Sequence, residues 1–396
     1  MQATTYDWLV IGNGIAGAAL SYELQKQGFS VLILEQSAHP QNATRYSYGG
    51  IASWSGTTDL TRLLCHEGIT LHRQLGVELE ADTQFRELDL LLTVAPDRDP
   101  AAVAATYDAV EILPMVLEAA EAVEREPRLN RSAIAGALRF PHGHVQPEAC
   151  VAAYNQAFLR LGGTIQIAPA INWVQKTDRL SAVITPTSTY EAAQIAICTG
   201  AMTRSIVKTA GIRLPIYFTQ AEILETPALD WRLQSLIMPA EMQRFALEAK
   251  ASGAELAPLW DQAEQEVLPA ILDPGVVQFL DGRMRIGQVS RVWSDLQPAV
   301  DAAASEAALR DAIGQLLPDL QTVPGQWHRC QVAFSGDRLP LIGQVPGWEG
   351  LHVFVGFSNP FAILPPLARR FAAAMSTPDA TDWVLQALSP QRFGSA

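Results

Sequence analysis

The sequence predicts an α/β fold: a Rossmann-like unit built on a parallel sheet, and a second domain of β-sheet plus helix. The chain should cross between the two more than once. Three observations carry this prediction. An apolar strand, Tyr6 to Ile11, runs straight into Gly12-Asn13-Gly14-Ile15-Ala16-Gly17, then a helix to about Gln27. A second strand from Val31 to Leu34 follows and ends on Glu35. Far along the chain, Ala193-Gln194-Ile195-Ala196-Ile197-Cys198 reads as a central parallel strand ending at Thr199-Gly200-Ala201, and Leu351 to Gly356 repeats the pattern before a last helix.

Each part of the first unit has a mechanical reason. Gly12 permits the tight strand-to-helix turn, Gly14 lets the backbone approach a pyrophosphate, and Gly17 lets helix and strand pack closely. The helix N-terminus, at Ile15 and Ala16, offers free amides and a positive dipole end to phosphates. Glu35, with Gln36 beside it, sits where a carboxylate would accept hydrogen bonds from a ribose. The turn implies a dinucleotide and does not by itself distinguish FAD from NAD.

Further along, helical periodicity covers about 59–75 and about 101–124, and a strand-like patch lies at 137–140. Residues 148–161 read as a helix stopped by Gly162-Gly163, and strands near 164–167 and 171–174 lead back to the first unit. From 214 to 226 the pattern turns antiparallel, and another strand pair flanks Asp281-Gly282. A helical insertion is expected at about 232–272, where Trp231, Met238, Met242, Phe245 and Trp260 supply apolar anchors. It would serve as plain packing, a lid, an oligomer contact or a docking surface for an electron acceptor. Helices are expected at about 302–317 and 366–375. The dinucleotide-binding domain should therefore comprise 1–75, 145–212 and 325–396, and the substrate domain 76–144 and 213–324.

The 396 residues are 48% hydrophobic and 17% charged, as in a globular chain large enough for two connected domains. A net charge of −13 argues against nucleic acid or an anionic membrane surface as the main partner. Cys65, Cys150, Cys198 and Cys330 lie far apart, without the spacing of a disulfide framework or a zinc site. His66, His142 and His144 show no metal-ligand spacing. No leader fits before the first strand and no apolar run is long enough for a bilayer, so a reduced cytoplasmic protein is expected.

Read together, the motifs resemble the FAD-dependent amine oxidoreductases that include D-amino-acid oxidase, glycine oxidase and monomeric sarcosine oxidase. They are Gly12-x-Gly14-x-x-Gly17 with Glu35, Thr44-Arg45…Gly49-Gly50, Val145-Gln146-Pro147, Thr199-Gly200-Ala201, Leu214-Pro215, Gly282…Gly287, and Asp337-x-x-Pro340-x-x-Gly343 followed by Gly356. The resemblance implies FAD, and there is no second glycine turn for a nicotinamide. It also implies that Thr44, Arg45, Gly49 and Gly50 line the flavin, with Gly200 nearby. Ile171 would touch the adenine, and Gly356, Phe357, Ser358 and Asn359 would approach the pyrimidine side. Electrons would pass on to oxygen, a quinone or a protein carrier.

The chain departs from that pattern where substrate should bind. Val332 and Asn359 stand where glycine oxidases are expected to contact the substrate carboxylate, and Ile363 aligns with a lysine of sarcosine oxidases. Arg45, Arg283, Arg285 and Arg329 are the candidate replacements, and Tyr48, Trp54, Tyr217, Phe357 and Phe361 the candidate aromatic pocket. Cys330, seven residues before Asp337, occupies the position of a covalent flavin link. The expected activity is oxidation of a small amine or amino acid by hydride transfer to flavin, the imine then being hydrolysed. The alternatives are oxidation of a 2-hydroxy acid, or a flavoprotein retained for binding with its catalysis reduced.

Overall fold

A computed structural model describes residues 5–177, 179–377 and 381–394. An eight-stranded sheet runs in the order Leu341–Gln344, Leu351–Val355, Thr189–Ile197, Thr5–Ile11, Val31–Glu35, Thr164–Ile167. A hairpin of Asn172–Lys176 and Arg179–Ile184 joins it beside Thr189–Ile197. Thr5–Ile11 is parallel to both its neighbours, with Leu9 opposite Ile195 on one side and Leu32 on the other. The inner stretches of these strands are apolar because both faces are covered, and Leu9, Val10, Ile33, Ile195 and Ala196 are fully buried. The helices Ile15–Lys26, Asp59–Glu78, Pro147–Arg160 and Pro360–Ser376 contribute to the core cluster on one face.

A nine-stranded sheet runs Gln326–Ser335, Ile216–Glu225, Met284–Trp293, Glu266–Gln278, Ser235–Pro239, Arg86–Val94, Gly136–His144, Gly50–Ile51, with Met115–Glu118 beside Gly136–His144. Leu224, Ile286 and Val289 pack on one face against Leu309 and Ile313 of the helix Ala302–Leu316. The other face carries Ala221, Ile223 and Cys330, clustered with Tyr46 from the first unit. If each sheet centres a domain, as we propose, the last boundary lies beyond Ser335 and not at 325.

Two helical expectations need correction. Residues 101–124 do not form one helix: Pro100–Ala105 and Ala119–Arg125 are separated by the strand Met115–Glu118. Pro114 has no amide to donate to a helix, and Met115–Glu118 finds its hydrogen bonds along Gly136–Arg139 instead. The insertion at 232–272 is helical only at Gln243–Ala251 and a short 3₁₀ turn, Ala257–Asp261. Its ends are the strands Ser235–Pro239 and Glu266–Gln278. Pro269 and Pro274 fall within register shifts of the second strand, where a missing amide interrupts the ladder.

The last long helix starts at Pro360, earlier than its periodicity suggested, and contains Pro365 and Pro366. Without those two amides the carbonyls of Phe361 and Ala362 lose their partners one turn back. Both face Asp59–Glu78, and the first gains a donor there. His72 Nε2 donates to the Phe361 carbonyl at 2.6 Å, and the Ala362 carbonyl lies where a Cβ on Gly68 would stand, 1.7 Å away. Burial pushes the His72 imidazole down to about 4, so it is neutral at ordinary pH.

His72→Leu should therefore cost about 1–3 kcal/mol, the penalty for an unpaired buried carbonyl. Pro365→Ala supplies an amide to that carbonyl, so His72→Leu should cost less in its background. Guanidinium unfolding of the four proteins in a double-mutant cycle measures the difference; strictly additive costs would refute the pairing.

Candidate functional site

The glycine turn explains itself atom by atom. Gly12 has φ +96°, and a Cβ there would lie 2.8 Å from the Cys198 carbonyl oxygen. A Cβ on Gly17 would lie 1.8 Å from the Gly12 carbonyl oxygen, so helix and strand touch backbone to backbone. Gly14 caps the helix with no side-chain hydrogen bond. The Ile15 amide donates to Thr44 Oγ1 at 3.1 Å and the Asn13 amide to Glu35 Oε2 at 2.8 Å. Among the described residues the amides of Ala16 and Gly17 meet no acceptor, and the buried Asn13 Oδ1 has no partner. That is a cradle of open backbone donors at a positive dipole end, and it fits a diphosphate.

Glu35 is spent in part on its own backbone: its two oxygens accept from the amides of Asn13 and Ser37. A carboxylate offers about four lone-pair sites, so two remain for ribose hydroxyls. Gln36 Nε2 contacts Met202 Sδ at 3.5 Å, beyond Gly200, which turns the chain with φ +53°. Ile171, expected at the adenine, is 60% exposed and its amide donates to the Ile184 carbonyl. The Gly49-Gly50 pair has a reason within the protein: Cβ atoms there would meet the Val145 carbonyl oxygen at 2.1 Å and His142 Nε2 at 2.7 Å.

The arginines proposed as substrate anchors are mostly committed elsewhere. Arg45 grips Glu225 with both terminal nitrogens at 2.8 Å and Glu148 with Nε at 2.8 Å. Arg285, fully buried, reaches Glu225 at 2.9 Å, Glu148 at 3.4 Å and the Ser47 carbonyl. Arg283 adds a third contact to Glu225 at 3.3 Å. Burial would raise the Glu225 carboxyl, but hydrogen bonds from Arg45 and Arg285 hold it down at about 2. Arg329 donates to the Pro298 carbonyl, on the face opposite Cys330. Arg45 and Arg285 thus offer no free fork, and Arg329 lies on the other face of the sheet.

The aromatic candidates are largely core, too. Trp54 stacks on Phe140 with ring centroids 3.8 Å apart and donates to His142. Tyr217 packs with Trp260 and Phe334, and Phe361 is 2% exposed in the core beneath the first sheet. Phe357 is buried against Phe354, and Ser358 donates to the Arg338 carbonyl. Gly356 turns the chain with φ +84°, and Asn359 is tied to the Ala52 carbonyl and Ser55. Tyr48 differs: its hydroxyl reaches the Gly275 carbonyl at 3.3 Å, beside Gly287. Burial, with Asp273 nearby, pushes its phenol well up.

Cys330 lies on the face of the large sheet that meets Tyr46, with Val332 packed beside it. Burial pushes its thiol up to about 12, against the pull of Arg285 and Arg244, so it is a neutral thiol at pH 7. Next to it His328 stacks on Tyr46 at 4.6 Å. Sequence reasoning missed the partners of these groups: Glu225 and Glu148, which neutralise the arginines, and Arg244, Glu248 and Asp273 on and around the helix Gln243–Ala251. The one available signal was the arginine-rich Gly282-Arg283-Met284-Arg285, which needs carboxylates wherever it is buried.

Two outcomes follow. Gly17→Val should leave purified protein with little or no FAD, read as the ratio of flavin to protein absorbance; full retention would show that the turn does not carry the cofactor. Glu225→Gln should cost about 3 kcal/mol at pH 7, because buried arginine charge is left uncompensated. Since the folded carboxyl is depressed below its usual 4.5, its stabilisation is complete above pH 4.5 and is lost as the pH falls towards 2. The gap between parent and variant in urea unfolding should narrow over that range.

Comparison with known proteins covers nearly the whole chain. The family profile described as FAD dependent oxidoreductase matches residues 7–374. Glycine oxidase of Pseudomonas putida is 22% identical over 90% of this chain and 91% of its own. Peroxisomal sarcosine oxidase of Mus musculus is 25% identical over 95% and 93%. The crystal structure of glycine oxidase from Geobacillus kaustophilus superposes with a TM-score of 0.79 at 21% identity, covering 98% of this chain and 99% of that one. The chain belongs to this family of FAD-dependent oxidoreductases, and FAD is its cofactor.

Proposed function

We propose that the protein oxidises the C–N bond of a small amine or amino acid and passes the electrons to oxygen. The observation that carries this is the full-length likeness to glycine and sarcosine oxidases, together with a glycine turn whose open donors suit the FAD diphosphate. Gly14, Ile15, Ala16 and Gly17 would hold the phosphates, Glu35 the ribose, and the segment from Thr44 to Gly50 the flavin. Bound FAD supplies the two-electron acceptor for the hydride on the carbon next to nitrogen.

The protein's share is orientation, charge and dryness. Tyr48, Gly287, Ala221, Ile223, Val332 and Cys330 make a mostly apolar surface on the large sheet, facing the first unit. Such a surface favours the uncharged amine, the form able to release hydride. The Arg45–Glu225–Arg285–Glu148 cluster closes one end with its charges internally matched. Its four cysteines are free and buried, which supports a reduced compartment such as the cytoplasm. No helix among the described residues is long and apolar enough to cross a membrane.

An anaerobic screen of amines, amino acids and 2-hydroxy acids against the yellow protein tests the reading. An amine or amino acid should bleach the flavin, and air should restore the colour with one peroxide per turnover. Bleaching by 2-hydroxy acids alone would overturn it.

A further inference from the structure

Among the described arginines that are not exposed, one guanidinium donates no hydrogen bond to the protein, that of Arg244. Its nearest carboxylate is Glu248, one turn along the same helix, with Nε and Oε1 3.7 Å apart. Charge-assisted hydrogen bonds are about 2.7–2.9 Å, so that contact leaves the fork unspent. The side chain is nonetheless only 21% exposed. Its one close neighbour besides Glu248 is the Phe245 ring, 5.0 Å from the guanidinium carbon, which accepts no N–H fork. A guanidinium that has given up most of its water without gaining a hydrogen-bond acceptor is costly unless an anion completes it.

Its place in the fold decides which anion. The helix Gln243–Ala251 packs through Leu247 and Ala251 on Tyr217 and Phe334. Glu248 accepts from Thr219 Oγ1 at 3.1 Å. Thr219 points to the same side of the sheet as Ala221 and Ile223, and stands directly opposite Val332. Arg244 thus overhangs the apolar surface next to Cys330 and Tyr48, and its charge pulls both of those groups down against burial.

The surrounding charges do not compete for it. Both Asp273 oxygens accept backbone amides, of Gln243 and Arg244, at 3.1 Å each. Glu248 is engaged by Thr219, and burial raises both carboxyls towards the neutral form despite Arg244 and, for Glu248, Arg338. Arg45 and Arg285 are already engaged by Glu225 and Glu148, and Arg283 by Asp281 and Glu225.

We infer that Arg244 binds the carboxylate of the substrate, which makes the substrate an amino acid or N-alkyl amino acid and not a simple amine. This rests on reading the surface below it as the site of C–N oxidation. The helix that carries it is then a specificity element: a two-pronged donor for a planar anion, held over an apolar floor by Asp273 and Thr219.

The test needs no turnover. The FAD-loaded protein is titrated with benzoate and with acetate, following the flavin absorbance, with benzamide and acetamide as neutral controls. The carboxylates should perturb the flavin spectrum. Arg244→Leu should weaken their binding about 10- to 100-fold, and Arg244→Lys should fall between, keeping charge but losing the fork. Neither variant should change FAD content or amide binding. A carboxylate Kd within twofold of the parent in Arg244→Leu, or no carboxylate binding by the parent, overturns the inference. A protein that binds benzoate through Arg244 yet oxidises no amine or amino acid would sink the proposed reaction, and with it the amino-acid substrate, while leaving Arg244 as a carboxylate site. One that oxidises amino acids and their carboxyl-less analogues equally well, with or without Arg244, would sink this inference alone.

Discussion

The arrangement of the two sheets depends on how Arg285 is neutralised. It is the largest fully buried charged side chain described, on a central strand of the nine-stranded sheet. One partner, Glu225, lies on the neighbouring strand; the other, Glu148, lies at the start of a helix of the first unit. Arg45, from the segment after the glycine turn, is bound by the same two carboxylates. A buried guanidinium left half-paired costs several kcal/mol, so the two units have little freedom to separate or slide at this contact. The flavin-side segment from Thr44 to Gly50 is thereby held against the sheet that would receive substrate.

This use of arginine bears on recognition. A cation that is fully matched inside the protein cannot also anchor a ligand, however close it lies. What recognises an anion is the donor left over after internal pairing is complete, and here that donor comes from a short helix above the sheet. The same logic applies at the glycine turn, where Glu35 and Thr44 satisfy the amides of Asn13 and Ile15 and leave Ala16 and Gly17 open.

The parallel core and the glycine turn were legible in the sequence because their signals are local: apolar runs, glycines at fixed offsets and an acid at a strand end. The prolines of the last helix were read as a helix start because the donor that replaces one lost amide is distant, at His72, and the room for the other carbonyl is at Gly68. Residues 232–272 look helical by composition, but Leu236 and Ile237 are fixed by pairing with Leu90 and Leu91. Trp54 and Tyr217 have the chemistry of a pocket and the neighbours of a core, and only the neighbours decide. Arg244 could not be distinguished from a surface arginine without knowing that its neighbours were already paired.

The parallel order of the first sheet also sets a timetable for synthesis. Thr5–Ile11 can find Val31–Glu35 early, but its other neighbour is Thr189–Ile197, and that strand's own outer partner is Leu351–Val355. The nascent first strand therefore leaves the ribosome with one apolar edge that stays open while most of the nine-stranded sheet has yet to be made. Such an edge is sticky towards other strands. A truncated chain, or a stalled one, keeps that edge unclosed; only when the C-terminal strand and helix arrive does the oldest part of the molecule become its most protected.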